Sequence, residues 1–212
     1  MAAKGKWAQG IKPRHFHWII QDQLAVCERP GGFGANHRKV RRQEEIIWIR
    51  EQGFSPVISL IPANHNLHNY DELSVTWRHR PFPATEDYPR YLGEVYPELQ
   101  ALLESGAKVL YHHEELNDRI VGLMAGYLVW AGLVPEQPRA IFLLEHITSR
   151  QLGPEGRAES TAMRSARKTA SSTSWVTSTP VKPLFCQRSW MRACSSSRVS
   201  ASTELKGSSI SS

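Results

Sequence analysis

The chain has 212 residues, of which 41% are hydrophobic and 22% are charged, so it can bury one ordinary core and needs no second domain. No run approaches the roughly 18 apolar residues of a membrane-spanning helix, and the N-terminal MAAKGKWAQG lacks the apolar stretch of a signal peptide. These features predict a cytoplasmic protein without a membrane partner. Cys27, Cys186 and Cys194 match neither a disulfide framework nor a zinc ribbon, and reduced thiols are expected.

The net charge of +6 is unevenly distributed along the chain. Residues 160–212 contain eight Lys or Arg and one acidic residue, Glu204, giving +7, whereas the rest of the chain sums to −1. The nearly neutral part gives no reason to expect nucleic acid as a partner. The basic tail could contact nucleic acid weakly through counterion release, although it has no amphipathic period.

The first half of the chain predicts an α/β domain that follows an N-terminal extension of residues 1–14. HWIIQDQLAV is typical of a short hairpin, PGGFGAN of a loop, and Arg42 to Gln52 of a helix that ends at Gly53. VISLI (57–61) predicts a buried strand. The polar stretch 64–69, rich in His and Asn, is expected to be a solvated loop, and Ser74 to His79 a short strand.

The second half of the chain continues the α/β pattern. Apolar residues at helical spacing predict a helix from Tyr91 to Leu103, and Gly93 and Pro97 suggest that its first turns are broken or bent. KVLYH (108–112) predicts a strand, residues 119–131 a helix that is apolar nearly all round, and residues 137–149 a last helix that ends the fold. We expect VISLI and KVLYH to be neighbouring central strands, with the helix from residue 119 buried between the sheet and the last helix.

The composition changes abruptly near Ser160, after which 22 of 53 residues are Ser or Thr. Such a sequence buries too little apolar surface to fold, so we expect a domain over residues 15–157 and a disordered tail over 158–212. The abruptness suggests the hypothesis that the tail arises from a shifted reading frame.

The most informative segment joins the strand VLYH to the helix RIVGLMAGYLVWAGL through the polar loop HEELND. His112 and Arg119 have the spacing of the first and last defining residues of a phosphatase signature loop. The segment resembles the cysteine-dependent protein tyrosine and dual-specificity phosphatases, and so does the order of elements over most of residues 15–150. The resemblance implies a single central sheet flanked by helices. It also places His113 where that family has its nucleophilic cysteine, and Ile120 where it has Ser or Thr.

The resemblance implies three catalytic candidates: His113 at the nucleophile position, Arg119 as the phosphate-binding arginine, and Asp87 near the general acid. The segment RPFPATED resembles the loop that carries the family's aspartic acid, but Pro83 or Ala84 occupies the expected position. Glu86 and Asp87 lie a few residues away, and the sequence selects neither.

The loop itself departs from what a phosphate dianion requires. The family's thiolate is stabilised by inward-facing loop amides, which generally need glycines at positive φ, and residues 114–118 contain no glycine. The loop carries Glu114, Glu115 and Asp118. Each carboxylate held about 6 Å from a dianion would cost roughly 5 kcal/mol at an effective dielectric near 20, unless it points into solvent.

Structural explanations compete with catalytic ones for each of these residues. Asn117 or Asp118 can cap the following helix, His113 can be a hydrogen-bonded imidazole, and Arg119 can tether Glu114 or Glu115. A metal site built from His112, His113 and the acids is disfavoured because adjacent strand residues point in opposite directions. We expect neither a metal nor a cofactor.

Three interpretations of function remain open. The first is a pseudophosphatase or binding module, without cysteine-based catalysis, that recognises a phosphoprotein or another protein. The second is an active phosphatase in which His113 accepts the phosphoryl group, Arg119 holds it, and Glu86 or Asp87 is the acid. The third is a remnant without selected activity, which the composition of the tail supports.

Overall fold

The computed structural model describes residues 9–170 except residues 65, 85 and 86. This part of the chain contains five strands and six α-helices. In chain order they are β1 (His17–Ile20), β2 (Leu24–Glu28), α1 (Lys39–Glu51), β3 (Val57–Ser59), α2 (His68–Glu72), β4 (Trp77–His79), α3 (Tyr88–Glu104), β5 (Val109–His113), α4 (Asp118–Trp130), α5 (Gln137–Thr148) and α6 (Pro154–Ala170).

The strands form one mixed sheet in the order β1-β2-β5-β3-β4. β1 and β2 make the predicted antiparallel hairpin, and all other neighbours are parallel. β3 and β5 pair directly, with Val57 opposite Leu110 and Ser59 opposite His112, which confirms that VISLI and KVLYH provide neighbouring central strands. The carboxyl ends of β2, β5 and β3 therefore meet at one edge of the sheet, where ligands of open parallel sheets commonly bind.

The two faces of the sheet bury separate apolar clusters because successive strand residues point to opposite sides. On β5, Val109 and Tyr111 belong to the cluster formed with α3, α4 and α5, whereas Leu110 packs in the cluster with α1 and α2. The chain is thus an α/β protein with helices on both faces of a central sheet, as its sequence predicts.

α4 lies inside the larger cluster, and every residue from Ile120 to Val129 is buried. Its N-terminus is capped by Asn117, whose Oδ1 accepts a hydrogen bond from the Ile120 N–H at 3.3 Å. The prediction that Asn117 or Asp118 caps this helix is confirmed. α4 also contacts α5 and α6.

Two local predictions are wrong. The stretch 64–69 is not entirely a solvated loop, because α2 begins at His68 and Asn69 is buried. The predicted break in the first turns of α3 is absent, because α3 runs as one helix from Tyr88 to Glu104 with Pro97 inside it. Tertiary packing of its apolar face outweighs the local preference of proline in this case.

The fold does not end with α5. α6 crosses the predicted domain boundary at residue 157, and its Ser160 is completely buried. A Cβ added to Gly122 of α4 would lie 2.5 Å from the carbonyl oxygen of Gly156, so α4 and α6 approach each other closely through small residues. The prediction of disorder is therefore wrong for residues 158–170, because they are helical and their first residues pack against α4. Residues 171–212, which carry the reading-frame hypothesis, lie outside the described residues.

No helix in the described part of the chain is long and apolar enough to cross a membrane.

Candidate functional site

The candidate site is the short loop that leaves β5 after His113 and enters α4 at Asp118. Its position follows from the sheet order, because β5 is a central strand whose carboxyl end lies between those of β2 and β3. The strand, loop and buried helix predicted from the sequence are therefore all present.

His113 is half-buried and held by the loop itself. Its Nδ1 lies 3.2 Å from Asn117 Nδ2. Since Asn117 Oδ1 accepts the Ile120 N–H, the amide nitrogen is the donor, and Nδ1 of His113 is the acceptor. The ring also packs against Phe82, with centroids 5.7 Å apart. Burial lowers the pKa of His113, and Arg119 lowers it further while Glu114 opposes both effects.

Arg119 is occupied by groups from two distant parts of the chain. Its Nε donates to Glu159 Oε1 at 2.6 Å, and its Nη2 donates to the carbonyl oxygen of Pro83 at 3.4 Å. The guanidinium carbon lies 4.6 Å from the centre of the Phe82 ring, in cation–π contact. The prediction that Arg119 tethers Glu114 or Glu115 is wrong, because its carboxylate partner comes from α6.

Glu159 is the site residue that sequence reasoning missed. It falls within residues 158–212, which were predicted to be disordered. Its side chain is 12% exposed, and burial raises its pKa, although Arg119 and the nearby Tyr88 hydroxyl lower it. Only recognition that the segment PEGRAESTAMRSARKTA forms a helix that packs on α4 could have brought Glu159 to the site.

The three acidic residues of the loop do not converge on one point. Glu115 is exposed, and Glu114 Oε1 lies 3.9 Å from Arg29 Nη1. Asp118 turns toward α6, where its Oδ2 accepts the Gly153 N–H at 2.7 Å and its Oδ1 lies 3.6 Å from Arg150. The expected repulsion of a dianion by three inward carboxylates is therefore largely absent.

The loop backbone is not shaped as an anion nest. None of residues 113–119 has a positive φ. The Asn117 N–H donates to the Glu115 carbonyl at 2.8 Å, and the Ile120 N–H donates to the Asn117 side chain. Because nests bind anions through free N–H groups that point inward, this loop has already used two of the donors it would need.

The proline-rich loop before α3 reaches the site through Phe82 and Pro83. Asp87 is exposed at the N-cap of α3 and makes no capping hydrogen bond through its side chain. Glu86 lies outside the described residues. Assignment of either residue as general acid stays a prediction.

His112 points away from His113, into the opposite face of the sheet. It is buried, and its Nε2 lies 3.2 Å from the Tyr70 hydroxyl. Burial lowers the pKa of His112 to about 3, and the nearby Arg29, His113 and His79 lower it as well. Among the described residues, no three His, Cys, Asp or Glu side chains are grouped so as to hold a metal ion.

No protein-family model matches the chain, and no curated protein matches it in sequence. Solved structures do match its fold. A kinase associated phosphatase with serine in place of its catalytic cysteine aligns with a TM-score of 0.61 and 18% identity, over 76% of this chain and 97% of that one. TpbA of P. aeruginosa, solved with phosphotyrosine, aligns with a TM-score of 0.56 and 16% identity, over 80% and 99% of the two chains. Tk-PTP in its active form gives 0.55 and 15%, over 76% and 98%. The chain therefore has the fold of the tyrosine and dual-specificity phosphatases.

Proposed function

We propose that this chain is a phosphatase-fold binding protein that lacks cysteine-based catalysis and recognises a phosphoprotein or another protein. The observation that carries the proposal is the ion pair between Arg119 and Glu159, with Nε and Oε1 2.6 Å apart. In the resemblance to the phosphatases, Arg119 is the group that would bind the transferred phosphoryl group. In this chain the positive charge of Arg119 is instead paired with the carboxylate of Glu159.

A phosphate would have to displace Glu159 before it could bind Arg119. Separating the pair costs about 1–3 kcal/mol, less than for a fully buried pair, because the Arg119 side chain is 31% exposed and that of Glu159 is 12% exposed. Phe82 and Pro83 would also lose their contacts with the guanidinium. The structure therefore favours the state in which Arg119 stays paired with Glu159 and is not available to phosphate.

Cys27 does not replace the missing nucleophile. It is the free cysteine among the described residues, and it lies on β2 opposite His112. Its side chain is completely buried, and burial raises the pKa of the thiol, with further increases from Glu45 and Glu28. A buried, protonated thiol is a poor nucleophile.

The alternative is an active enzyme with His113 as phosphoryl acceptor. The lowered pKa of His113 favours it, because a neutral imidazole at neutral pH can act as a nucleophile. The hydrogen bond from Asn117 opposes it, because the lone pair of Nδ1 is already engaged. Attack through Nδ1 would require this contact to break.

Turnover of a small aryl phosphate separates the two candidates. The comparison uses the wild type, His113→Ala, His113→Cys and the control His68→Ala, which changes a histidine whose side chain is 65% exposed. We expect none of the four to exceed the rate without enzyme. A thiol introduced by His113→Cys would face an occupied arginine and a loop without an amide nest.

Two results would contradict the proposal. Wild-type turnover that is lost in His113→Ala but kept in His68→Ala would establish a histidine nucleophile. Strong turnover by His113→Cys alone would mean that Arg119 and the loop amides are free to bind phosphate despite the contacts described above.

A further inference from the structure

Two arginines lie in the interior at the junction of β2 and α1: Arg29 in the loop after β2, and Arg42 on α1. Arg29 follows Glu28, which is paired with His113 across β2 and β5, and Arg29 is only 8% exposed. Arg42, on α1, is 6% exposed. A Cβ on Gly31 would lie 2.6 Å from the Arg42 Cβ, and Gly31 has a φ of +89°, so only glycine lets the loop lie directly on Arg42.

The hydrogen-bonding capacity of these two guanidinium groups is largely unused. Within the described residues Arg29 donates no side-chain hydrogen bond, and its nearest carboxylate oxygen, on Glu114, is 3.9 Å away. Arg42 Nη1 lies 2.8 Å from His37 Nε2, a neutral acceptor, and Arg42 Nε is buried without a partner. An arginine cannot lose its charge in a protein, so burial without acceptors is costly.

The two cations also influence each other. Burial and Arg29 both lower the pKa of Arg42, and burial followed by Arg42 and Arg29 lowers the pKa of His37. This part of the molecule therefore concentrates positive potential between α1 and the end of β5.

Neighbouring carboxylates do not offset that potential fully. Glu45 is engaged by Arg41 and by the Gly31 N–H, at 2.7 and 2.6 Å. Glu28 lies 3.8 Å from His15, and Glu72 is exposed beside His68. Glu114 faces Arg29 at a distance too long for a hydrogen bond and is 28% exposed, so it can turn toward solvent.

We propose that Arg29 and Arg42 form a binding site for a phosphate-type oxyanion beside the 113–117 loop. An oxyanion supplies several acceptors at once, and guanidinium groups bind such anions through paired N–H donors. It would satisfy the donors left free on Arg29 and Arg42 and neutralise part of their charge. This site is separate from Arg119 and does not require Arg119 to be released from Glu159.

The test is thermal unfolding of the full chain in increasing inorganic phosphate, with sodium chloride holding the ionic strength constant. Binding to the folded state raises the melting temperature. We expect Arg29→Met and Arg42→Met to weaken phosphate binding about 10-fold or more, as loss of a charge-assisted hydrogen bond should. Glu114→Gln should strengthen binding, because it removes the competing carboxylate. Arg90→Gln, at an arginine whose side chain is 84% exposed, is the control and should respond as the wild type does.

A second measurement covers the case in which a variant folds poorly. Without phosphate, Arg29→Met removes a nearly buried charge whose nearest carboxylate oxygen is 3.9 Å away, so its melting temperature should equal or exceed that of the wild type. A large decrease would show that Arg29 is structural and would overturn the proposal.

Arg119→Met separates this inference from the proposed function. It should bind phosphate as the wild type does. If Arg119→Met abolishes binding and Arg29→Met does not, the anion occupies the phosphatase arginine, and both proposals fail. If phosphate does not stabilise the wild type, only the site at Arg29 and Arg42 fails. Comparison of inorganic phosphate with phenyl phosphate shows whether the site accepts the free ion alone or also its monoesters.

Discussion

At the scale of single residues, the main finding is that Arg119 has a partner 40 residues away in the chain. The spacing from His112 identified this arginine in the sequence. The apolar segment that follows predicted its position at the start of the helix after β5. Its partner could not be inferred in the same way, because ion pairs between distant segments leave no local pattern. Glu159 can be identified as the partner only after α6 is known to pack on α4.

The strength of this pair can be measured by a double-mutant cycle with Arg119→Met and Glu159→Gln. The side chains are 31% and 12% exposed, between the surface and interior extremes. We expect a coupling free energy of about 1–3 kcal/mol in urea unfolding, below the value for a fully buried pair because solvent screens Arg119. The double variant should therefore lose less stability than the sum of the two single losses. Strictly additive losses would mean that the pair contributes nothing to closing the site.

At the scale of secondary-structure elements, the contact between α4 and α6 decides where the domain ends. Gly122 and Gly156 allow the two backbones to approach, and a Cβ on Gly156 would lie 2.5 Å from the Asp118 carbonyl oxygen. Asp118 reinforces the contact through its bond to the Gly153 N–H. The close approach also positions Glu159 against Arg119, so packing of α6 and closure of the site are linked.

Gly156→Ala tests this packing directly. Alanine is favoured over glycine in an isolated helix by about 1 kcal/mol, but here its methyl group would meet the Asp118 carbonyl oxygen, which cannot yield easily, and the buried Leu152 side chain. We expect a net destabilisation of about 1–3 kcal/mol. Gly93→Ala is the matched control, since a Cβ at Gly93 of α3 meets nothing within 4 Å, and it should stabilise the protein by about 0.5–1 kcal/mol. A stabilising Gly156→Ala would show that α6 does not pack closely on α4.

At the scale of the whole molecule, the sequence predicts the sheet and its helices well because their apolar periods are strong. β3, β5 and α4 are apolar runs bounded by turn residues, and their pairing and burial follow from α/β topology. α6 was missed because its residues are small and polar, and it is stabilised by close packing rather than by a broad apolar face. The sequence identifies the acidic residues of the loop but not the direction of their side chains. Glu114 lies toward Arg29, and Asp118 toward Arg150 and Gly153, and these partners are distant in the chain.

The pH dependence of global stability reflects how many histidines fold into environments that disfavour their charge. Burial lowers the pKa of His17, His37, His112 and His113, and that of His112 falls to about 3. A depressed histidine pKa means that the unfolded chain binds more protons than the folded one below pH 6.5. The contribution of each neutral histidine is thus complete above pH 6.5 and is lost as the pH falls. Burial raises the pKa of Glu45 and Glu159, which has the opposite effect at lower pH.

His112 should dominate this loss because its pKa is shifted most. Between pH 6.5 and about 3 it should cost about 1.4 kcal/mol of unfolding free energy per pH unit. The measurement is urea unfolding at pH 7, 6 and 5 for the wild type, His112→Gln and the exposed control His68→Gln. Below pH 6.5 the wild type and His68→Gln should lose stability in parallel, and His112→Gln should lose about 1.4 kcal/mol less per pH unit. A lower stability of His112→Gln at pH 7 does not affect the test, because the test compares how the unfolding free energy changes with pH. If all three slopes agree, His112 accepts a proton in the folded state as readily as in the unfolded chain, and its contact with Tyr70 does not keep it neutral.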